Sequence, residues 1–569
     1  MSTAPPPDGV DAGDPHPQVE DDLRRSSFLV GAGILLSRIS GLIREVVTAA
    51  FLATGVGAEA FKAALRIPNL LQNLLGEGVL SASFVPAYSK LLAEGRREEA
   101  GRLAGAIAGL LLVLTSGLVL VGVVFAEPIT RLLTPGFVPG TDRFDLTVML
   151  VRIITPGVGF LVLSAWCLGV LNSHRRFFLS YVAPVLWNVA IIGVLAGAAL
   201  VSTDQARLAT AMAVGAAVGS VLQFAVQLPS VIGLTRGLAL STSFAVPGVP
   251  EVVRRFGQVV AGRGGVQLAS YVDLAVASLL AFGAFSALTY AQVLYLLPIS
   301  LFGMSVAAAE LPTLSTMDRR DRPRIVARLD EGLGRVAFFV VPSSIAFLLA
   351  GDLIAATVFQ WRAFSPEASV QVGIILAVYA LGMLASTSSR LLQSALYGAG
   401  DTRTPAIYAV MRVVLSLIVG VSIMFPLDAF GVTAEGVRLI GDLTWSIAPE
   451  GLREGPDSFF RLGATGLAFG AAVGAWFELL LLRIRVGIVF GRPRLAGPHA
   501  RAIAKAAVAG VVGAGVARVV VGATGVGSRL GGIIAVLVIG GAYLLAARVL
   551  GVPEAAELTG RVERRLRRR

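Results

Sequence analysis

The chain has 569 residues, of which 55% are hydrophobic and only 15% charged, with a mean hydropathy of +0.78 and a net charge of +12. A soluble protein of this size needs far more charge to cover its surface, so a string of soluble domains is excluded. The single cysteine, Cys167, excludes an internal disulfide, and His16, His174 and His499 fall in a tail or in connections, which argues against a histidine-based metal or catalytic site.

In chain order, residues 1–26 combine Pro5–Pro7, Pro15 and Pro17 with Asp11, Asp14, Asp21 and Asp22. That composition predicts a disordered cytoplasmic tail and lacks the basic lead-in of a signal peptide. About fourteen apolar blocks of bilayer-crossing length follow. The predicted spans are 28–53, 58–89 (broken near Pro68), 103–126, 145–171, 180–201, 207–233, 256–282, 285–311, 334–358, 369–397, 404–425, 462–484, 502–522 and 530–549. The 65 glycines suit close approach of helices in a membrane. The fold class expected is therefore an all-α polytopic membrane protein.

Alternate connections are strongly basic. They hold Lys90, Arg96, Arg97 and Arg102; Arg175 and Arg176; Arg236, Arg254 and Arg255; Arg319, Arg320, Arg322, Arg324 and Arg328; and Arg492, Arg494 and Arg501. The others are short or balanced by acids, and the longest, 426–461, sets six carboxylates against three arginines. The positive-inside rule then puts the basic connections and both termini in the cytoplasm. The basic tail 551–569 reads as a solvated end near anionic headgroups.

Charge inside a span costs about 2.5–3.5 kcal/mol on insertion scales, so such residues face an interior, a partner or water. In the first span Ser37, Arg38, Gly41, Arg44, Glu45 and Thr48 share an arc of about 120°. In the second, Glu59, Lys62, Arg66, Asn69, Asn73 and Glu77 follow i, i+3, i+4 spacing along one stripe, with Pro68 expected to kink or break it. Facing polar arcs point to a hydrated, cationic cavity whose guanidinium groups suit a diphosphate or a carboxylate. The alternative is static pairing, in which Arg38 or Arg44 meets Glu45, Glu59 or Glu77. The seventh span carries Arg263, Gln267, Ser270 and Asp273; Asp273 suits either a coupling cation or proton, or an arginine partner. Glu310 reads as interfacial, and Arg152, Arg390, Arg412 and Glu478 each as snorkelling or locally paired.

Two stretches repeat six spans apart. Gly169-Val-Leu-Asn-Ser-His-Arg-Arg-Phe-Phe-Leu-Ser-Tyr-Val-Ala-Pro184 and Ala395-Leu-Tyr-Gly-Ala-Gly-Asp-Thr-Arg-Thr-Pro405 each join a small-residue helix end, a polar turn with Arg, and a proline opening the next helix. Pro68 and Pro298 also stand at matching places. The plan implied is two parallel six-helix halves, 27–235 and 236–484, the latter with an extracytoplasmic insert at 426–461, then two extra helices in 485–550.

The segment from Ser37-Arg38 through Gly41 to Arg44-Glu45, with Arg66-Ile-Pro68-Asn69 and Gly76-Glu77-Gly78 to Pro86, resembles the MurJ/MviN family. So do Leu297-Pro298 to Gly303, Leu311-Pro312 to Ser315, and Tyr397 to Pro405, and the likeness runs from about residue 28 to 550. The resemblance implies a lipid II flippase of the multidrug/oligosaccharidyl-lipid/polysaccharide exporter superfamily, working in peptidoglycan synthesis at the bacterial plasma membrane. Its substrate would be undecaprenyl-diphosphate-linked disaccharide-pentapeptide.

By motif, Arg38 and Arg44 would be the family's cavity arginines, Glu45 and Glu59 its expected acids, Glu77 the acid of the EG motif, and Asp273 the acid implicated in ion coupling. Gln72-Asn73, Gln292-Val293, and Arg412 with Ser416 depart from the family pattern, which implies a less cationic cavity that Arg263 or Arg412 would compensate. The substrate-binding set expected is thus Arg38, Arg44, Glu45, Glu59, Arg66, Asn69, Asn73, Glu77, Arg263 and Gln267, with Asp273 for ion coupling. No cofactor is expected; Na+, H+ or the membrane potential would drive the cycle, and partners would be lipid II, membrane lipids and cell-wall synthesis proteins, with no nucleic acid. The competing readings are a related polysaccharide-lipid or drug exporter and a non-transporting scaffold. An enzyme is not expected, because no paired acids or histidine cluster occur in a predicted loop.

Overall fold

The computed structural model describes residues 17–303, 321–447, 449–451, 460–491, 498–524 and 527–566. The order is α1 (Pro17–Leu52), α2 (Val56–Ala64), α3 (Arg66–Leu75), α4 (Glu77–Ala93), α5 (Arg97–Val124), α6 (Ala126–Leu133), α7 (Asp142–Ser173), α8 (Phe177–Ala198) and α9 (Gln205–Leu234). It continues with α10 (Val249–Ala277), α11 (Ala284–Pro298), α12 (Arg322–Phe359), α13 (Pro366–Gly398) and α14 (Arg403–Leu427). A hairpin of β1 (Phe430–Thr433) and β2 (Gly436–Leu439) precedes α15 (Gly463–Val489), α16 (Pro498–Thr524), α17 (Ser528–Val549) and α18 (Pro553–Leu566).

Eleven helices among the described residues are long and apolar enough to cross a membrane, and they coincide with eleven of the fourteen sequence spans. The other three spans, 28–53, 58–89 and 256–282, are helical as α1, α2–α4 and α10. They are the three that carry the charged stripes.

Three local expectations shift. Helix α1 already begins at Pro17, so residues 17–26 are helical, where a disordered tail was expected across 1–26; Pro17 opens the helix at a position where its missing N–H costs nothing. The second span breaks twice, at Leu65 and at Gly76, rather than once at Pro68. Pro68 lies in the first turn of α3, where backbone N–H groups have no intrahelical acceptor. The C-terminal segment also forms a helix, α18, whose Ala555 joins a core with Phe338, Ile503 and Tyr543. At the matching proline of the second half, α11 ends at Pro298 and passes into a π-helical turn, Ile299–Gly303.

The sequence repeat is also a repeat of backbone geometry. Arg175 and Gly400 both take positive φ, +58° and +79°. After each, the chain closes the helix with a long capping bond, Arg176 N–H to Leu171 O and Asp401 N–H to Leu396 O, both 2.9 Å. Glycine adopts that conformation freely, whereas Arg175 does so against its Cβ.

The hydrophobic core is split at one end of the molecule and shared at the other. Towards the basic connections, one cluster holds Phe84, Leu103, Trp166, Leu171 and Val231, and a separate one holds Leu329, Leu391, Leu396 and Leu482. Towards the acid-balanced connections a single cluster joins Ala49, Leu52 and Phe137 of the first half to Phe285, Phe359 and Phe364 of the second. Hydrogen bonds cross there too: Ala363 N–H to Ala50 O (3.0 Å), the Tyr290 hydroxyl to Ala53 O (2.8 Å), and Gly136 N–H to Ser278 Oγ (2.9 Å). The halves are thus sealed at one face and separate at the other. The start of α10 is an exception, since Val249 and Val252 are buried with Leu103 and Ala104 of the first half.

Candidate functional site

Helix α1 presents its polar arc to α8 and α11. Arg44 is held on both sides: Nη2 donates to Glu45 Oε1 at 2.7 Å and Nη1 to Asn188 Oδ1 at 3.1 Å. Its guanidinium lies 5.1 Å from the centre of the Trp187 ring, a cation–π contact. Asn188 Nδ2 in turn donates to Ser40 Oγ at 2.9 Å, so α8 reads two residues one turn apart on α1. Glu45 is nearly buried, and its second oxygen has no hydrogen-bond partner. Lys62 Nζ approaches that oxygen at 4.0 Å.

Lys62 does not snorkel. Its side chain is 4% exposed, its ammonium donates to Ser286 O at 3.3 Å, and it sits over the Tyr290 ring. Arg66, on the next helix, lies 5.8 Å from the Tyr271 ring and 5.6 Å from the Phe285 ring. These groups form one band between the halves, with three cations, Arg44, Lys62 and Arg66, against the single carboxylate of Glu45. Asn69, Asn73 and Glu77 continue from it along α3 and the start of α4 with exposed side chains, and Arg38 is exposed on α1. Glu77 occupies the first turn of α4, where the helix dipole favours a carboxylate.

Glu59 belongs elsewhere. Its Oε2 accepts from Arg143 Nη1 at 2.8 Å, both side chains are buried, and its Oε1 accepts the Gly283 N–H at 3.0 Å. The Arg143 guanidinium stacks on Phe137 at 4.1 Å. Glu59 is therefore part of the sealed end and not of the open band, and this corrects its expected place among the substrate-binding groups. The physical reason is Arg143, which enters from α7 and consumes the carboxylate. Nothing in the spacing of the second span signals that arginine.

In the second half, Arg412 and Glu478 are not isolated: Arg412 Nη1 donates to Glu478 Oε2 at 2.8 Å. Gln393 Nε2 donates to the other oxygen at 2.8 Å. Asp273 is partly buried on α10, with Arg412 as the cation acting on it. Gln292 Nε2 donates to the Tyr379 hydroxyl at 3.0 Å, and Tyr379 stacks on Tyr295. Arg263 and Gln267 lie on α10, but their side chains fall outside the described residues, as Glu310 does altogether. The second repeat turn is locked by its own acid: the Thr404 N–H and Arg485 hold the Asp401 carboxyl below its usual range.

Residues 48–437 match the family model described as lipid II flippase MurJ. The chain belongs to the MurJ family. The Rhizobium meliloti MurJ sequence is 32% identical over 418 residues, covering 71% of this chain and 76% of that protein. The Burkholderia cenocepacia protein named lipid II flippase MurJ is 31% identical over 394 residues, covering 68% and 76%. Among solved structures, the fold matches a lipid II flippase MurJ in an inward closed conformation, with a TM-score of 0.69, 22% identity and coverage of 92% of this chain and 98% of that one. It also matches an inward-facing multidrug resistance MATE family transporter, with a TM-score of 0.58, 13% identity and coverage of 80% and 95%. The MurJ fold thus underlies the two-halved, multi-pass architecture; the Glu59–Arg143 pair, Lys62 and Arg66 lie inside the matched residues, and Arg44 and Glu45 lie just before them.

Proposed function

We propose that this MurJ family member carries lipid II from the inner to the outer leaflet of the bacterial plasma membrane by alternating access. The observation that carries the reading is the band of Arg44, Lys62 and Arg66 against one carboxylate, set between halves sealed at one face only. Three cations against one acid leave a surplus of two positive charges, which a diphosphate matches. The positive-inside rule makes the separated face cytoplasmic, so a head group enters the band from the leaflet where the precursor is made, while the polyprenyl tail stays in lipid. Both termini are then cytoplasmic.

Arg44, Glu45, Arg66, Asn69, Asn73 and Glu77 line the path in this reading, with Arg38 nearer its mouth, and Arg263 and Gln267 on α10 complete the proposed set. Asp273 beside Arg412 is the ion-coupling candidate, and the membrane potential is the alternative drive, worth about 2.3 kcal/mol per charge moved through 100 mV. No cofactor takes part.

The test is rescue of a MurJ-depleted bacterium by this chain, with Arg38→Ala and Arg44→Ala as comparisons. Rescue by the parent and lysis with either variant is expected at equal membrane levels. Lysis with the well-expressed parent overturns the flippase reading; full rescue by both variants overturns the cavity assignment alone.

A further inference from the structure

The centre of the second half holds one deeply buried acid and two arginines. Glu478, on α15, is 1% exposed and has both oxygens committed, Oε1 to Gln393 and Oε2 to Arg412. Arg390 lies one helical turn before Gln393 on α13, so it points to the same place. Yet it donates no hydrogen bond to Glu478: its side chain has no hydrogen-bond or ion-pair partner among the described residues, and its Nε is buried without an acceptor. The groups acting on it are Arg412, a like charge, together with Tyr295 and Glu478. Asp273 acts on Arg412 and not on Arg390.

A partly buried guanidinium left unpaired beside a second guanidinium is costly. Gln393 could have been the spare group and Arg390 the partner of Glu478, but the geometry is the reverse. The Arg412 side chain is 30% exposed and only one of its terminal nitrogens is taken, so its open edge and Arg390 offer forked donors to the same space. Glu478 and Asp273 both act on Arg412, which leaves Arg390 as the guanidinium without a carboxylate bound to it, the complement of a single carboxylate rather than of a diphosphate.

We propose that Arg390, with the open edge of Arg412, forms a second anion subsite that takes a carboxylate of the stem peptide while the first-half band takes the diphosphate. The assignment rests on the lipid II reading above. It makes Arg390 a specificity residue: it distinguishes a head group that carries its peptide from one that does not. A carboxylate there accepts paired N–H bonds from the guanidinium, and its amide counterpart loses the charge and half the acceptors.

The test uses the full chain in lipid nanodiscs and three probes: lipid II, lipid II with its stem carboxylates amidated, and the undecaprenyl-diphosphate disaccharide without peptide. Arg390→Gln is expected to weaken lipid II binding about tenfold, to leave the other two probes unchanged, and to melt no lower than the parent, since it removes an unpaired buried charge. Arg390→Lys is expected to recover part of the loss. Equal weakening for lipid II and the peptide-free probe assigns Arg390 to the phosphates and overturns the proposal, as does no change with any probe. If the parent binds none of the three, the lipid II reading itself fails; if it binds all three equally, only the peptide subsite does.

Discussion

The sealed face turns on one ion pair, and its removal has a calculable effect. In Arg143→Ala, Glu59 keeps only backbone partners, the Gly283 N–H at 3.0 Å and Ser286, and the oxygen formerly 2.8 Å from the guanidinium loses its cation in a fully buried site. Breaking a buried pair by deleting one partner costs about 3–5 kcal/mol, because the survivor is a charge without compensation. Loss of the guanidinium packed on Phe137 and Phe282 adds to that. The double variant Glu59→Gln/Arg143→Met removes both charges and keeps volume at each site, so it is expected to recover most of the loss, to within about 1–2 kcal/mol of the parent. Reversible unfolding in mixed micelles measures the parent, Glu59→Gln, Arg143→Met and the double variant as one cycle, with Arg143→Ala alongside. Because Gly283 belongs to the second half, Arg143→Ala is also expected to raise labelling of a cysteine placed at Thr54, at the same end, by a membrane-impermeant reagent from outside. Single variants within about 0.5 kcal/mol of the parent, or a double variant costing the sum of the two singles, would refute the reasoning.

Arg44→Lys keeps the charge but cannot hold Glu45 and Asn188 at once, so lipid II flipping in proteoliposomes is expected to fall at least about tenfold; unchanged flipping counts against a role for the fork. At the end of α14 next to the β-hairpin, burial raises the Asp428 carboxyl from 3.8 to about 6, against the opposing pull of Arg461. The folded state therefore binds the proton more tightly, so stability from this group is full below pH about 3.8, falls as pH rises, and is gone above about 6. Asp428→Asn is expected to flatten the melting-temperature profile across that window, and an unchanged slope assigns it to other groups. Along α5, a Cβ on Gly101, Gly105 or Gly109 would strike the backbone oxygens of Arg236, Ala239 and Ser241 in the connection between α9 and α10. Gly105→Val is expected to cost about 1–3 kcal/mol and to expose that connection to limited proteolysis, whereas Gly117→Val, which meets only open space, is not.

Hydropathy found the spans because the bilayer imposes one length and one chemistry on every crossing, and the cost of intramembrane charge made Arg44, Glu45 and Lys62 stand out before any contact was known. The repeat turns were legible for a similar reason: a helix stop needs small residues and a proline at fixed places, and Arg175 and Gly400 do adopt matching backbone. What periodicity records is the face of one helix. It says nothing of which residue arrives on that face from elsewhere in the chain.

Glu45 and Glu59 show the consequence. Each lies on a polar stripe, and by spacing alone they are equivalent. Asn188 and Arg44 leave one oxygen of Glu45 unbound within the open band, while Arg143, 84 residues further along than Glu59, takes up the Glu59 carboxylate in an ion pair. The break at Leu65 also separates Lys62 from Arg66, so the apparent single stripe serves two helices. Arg412 and Glu478 each read as snorkelling or locally paired, and because they are 66 residues apart no local pattern names one as the partner of the other. The division of acids between gate and cavity is therefore a property of long-range pairing. It follows that substituting the distant partners, Arg143, Asn188 and Gln393, should exchange these roles more effectively than changing the acids themselves, since each partner decides whether its carboxylate is spent on the fold or left for a cation.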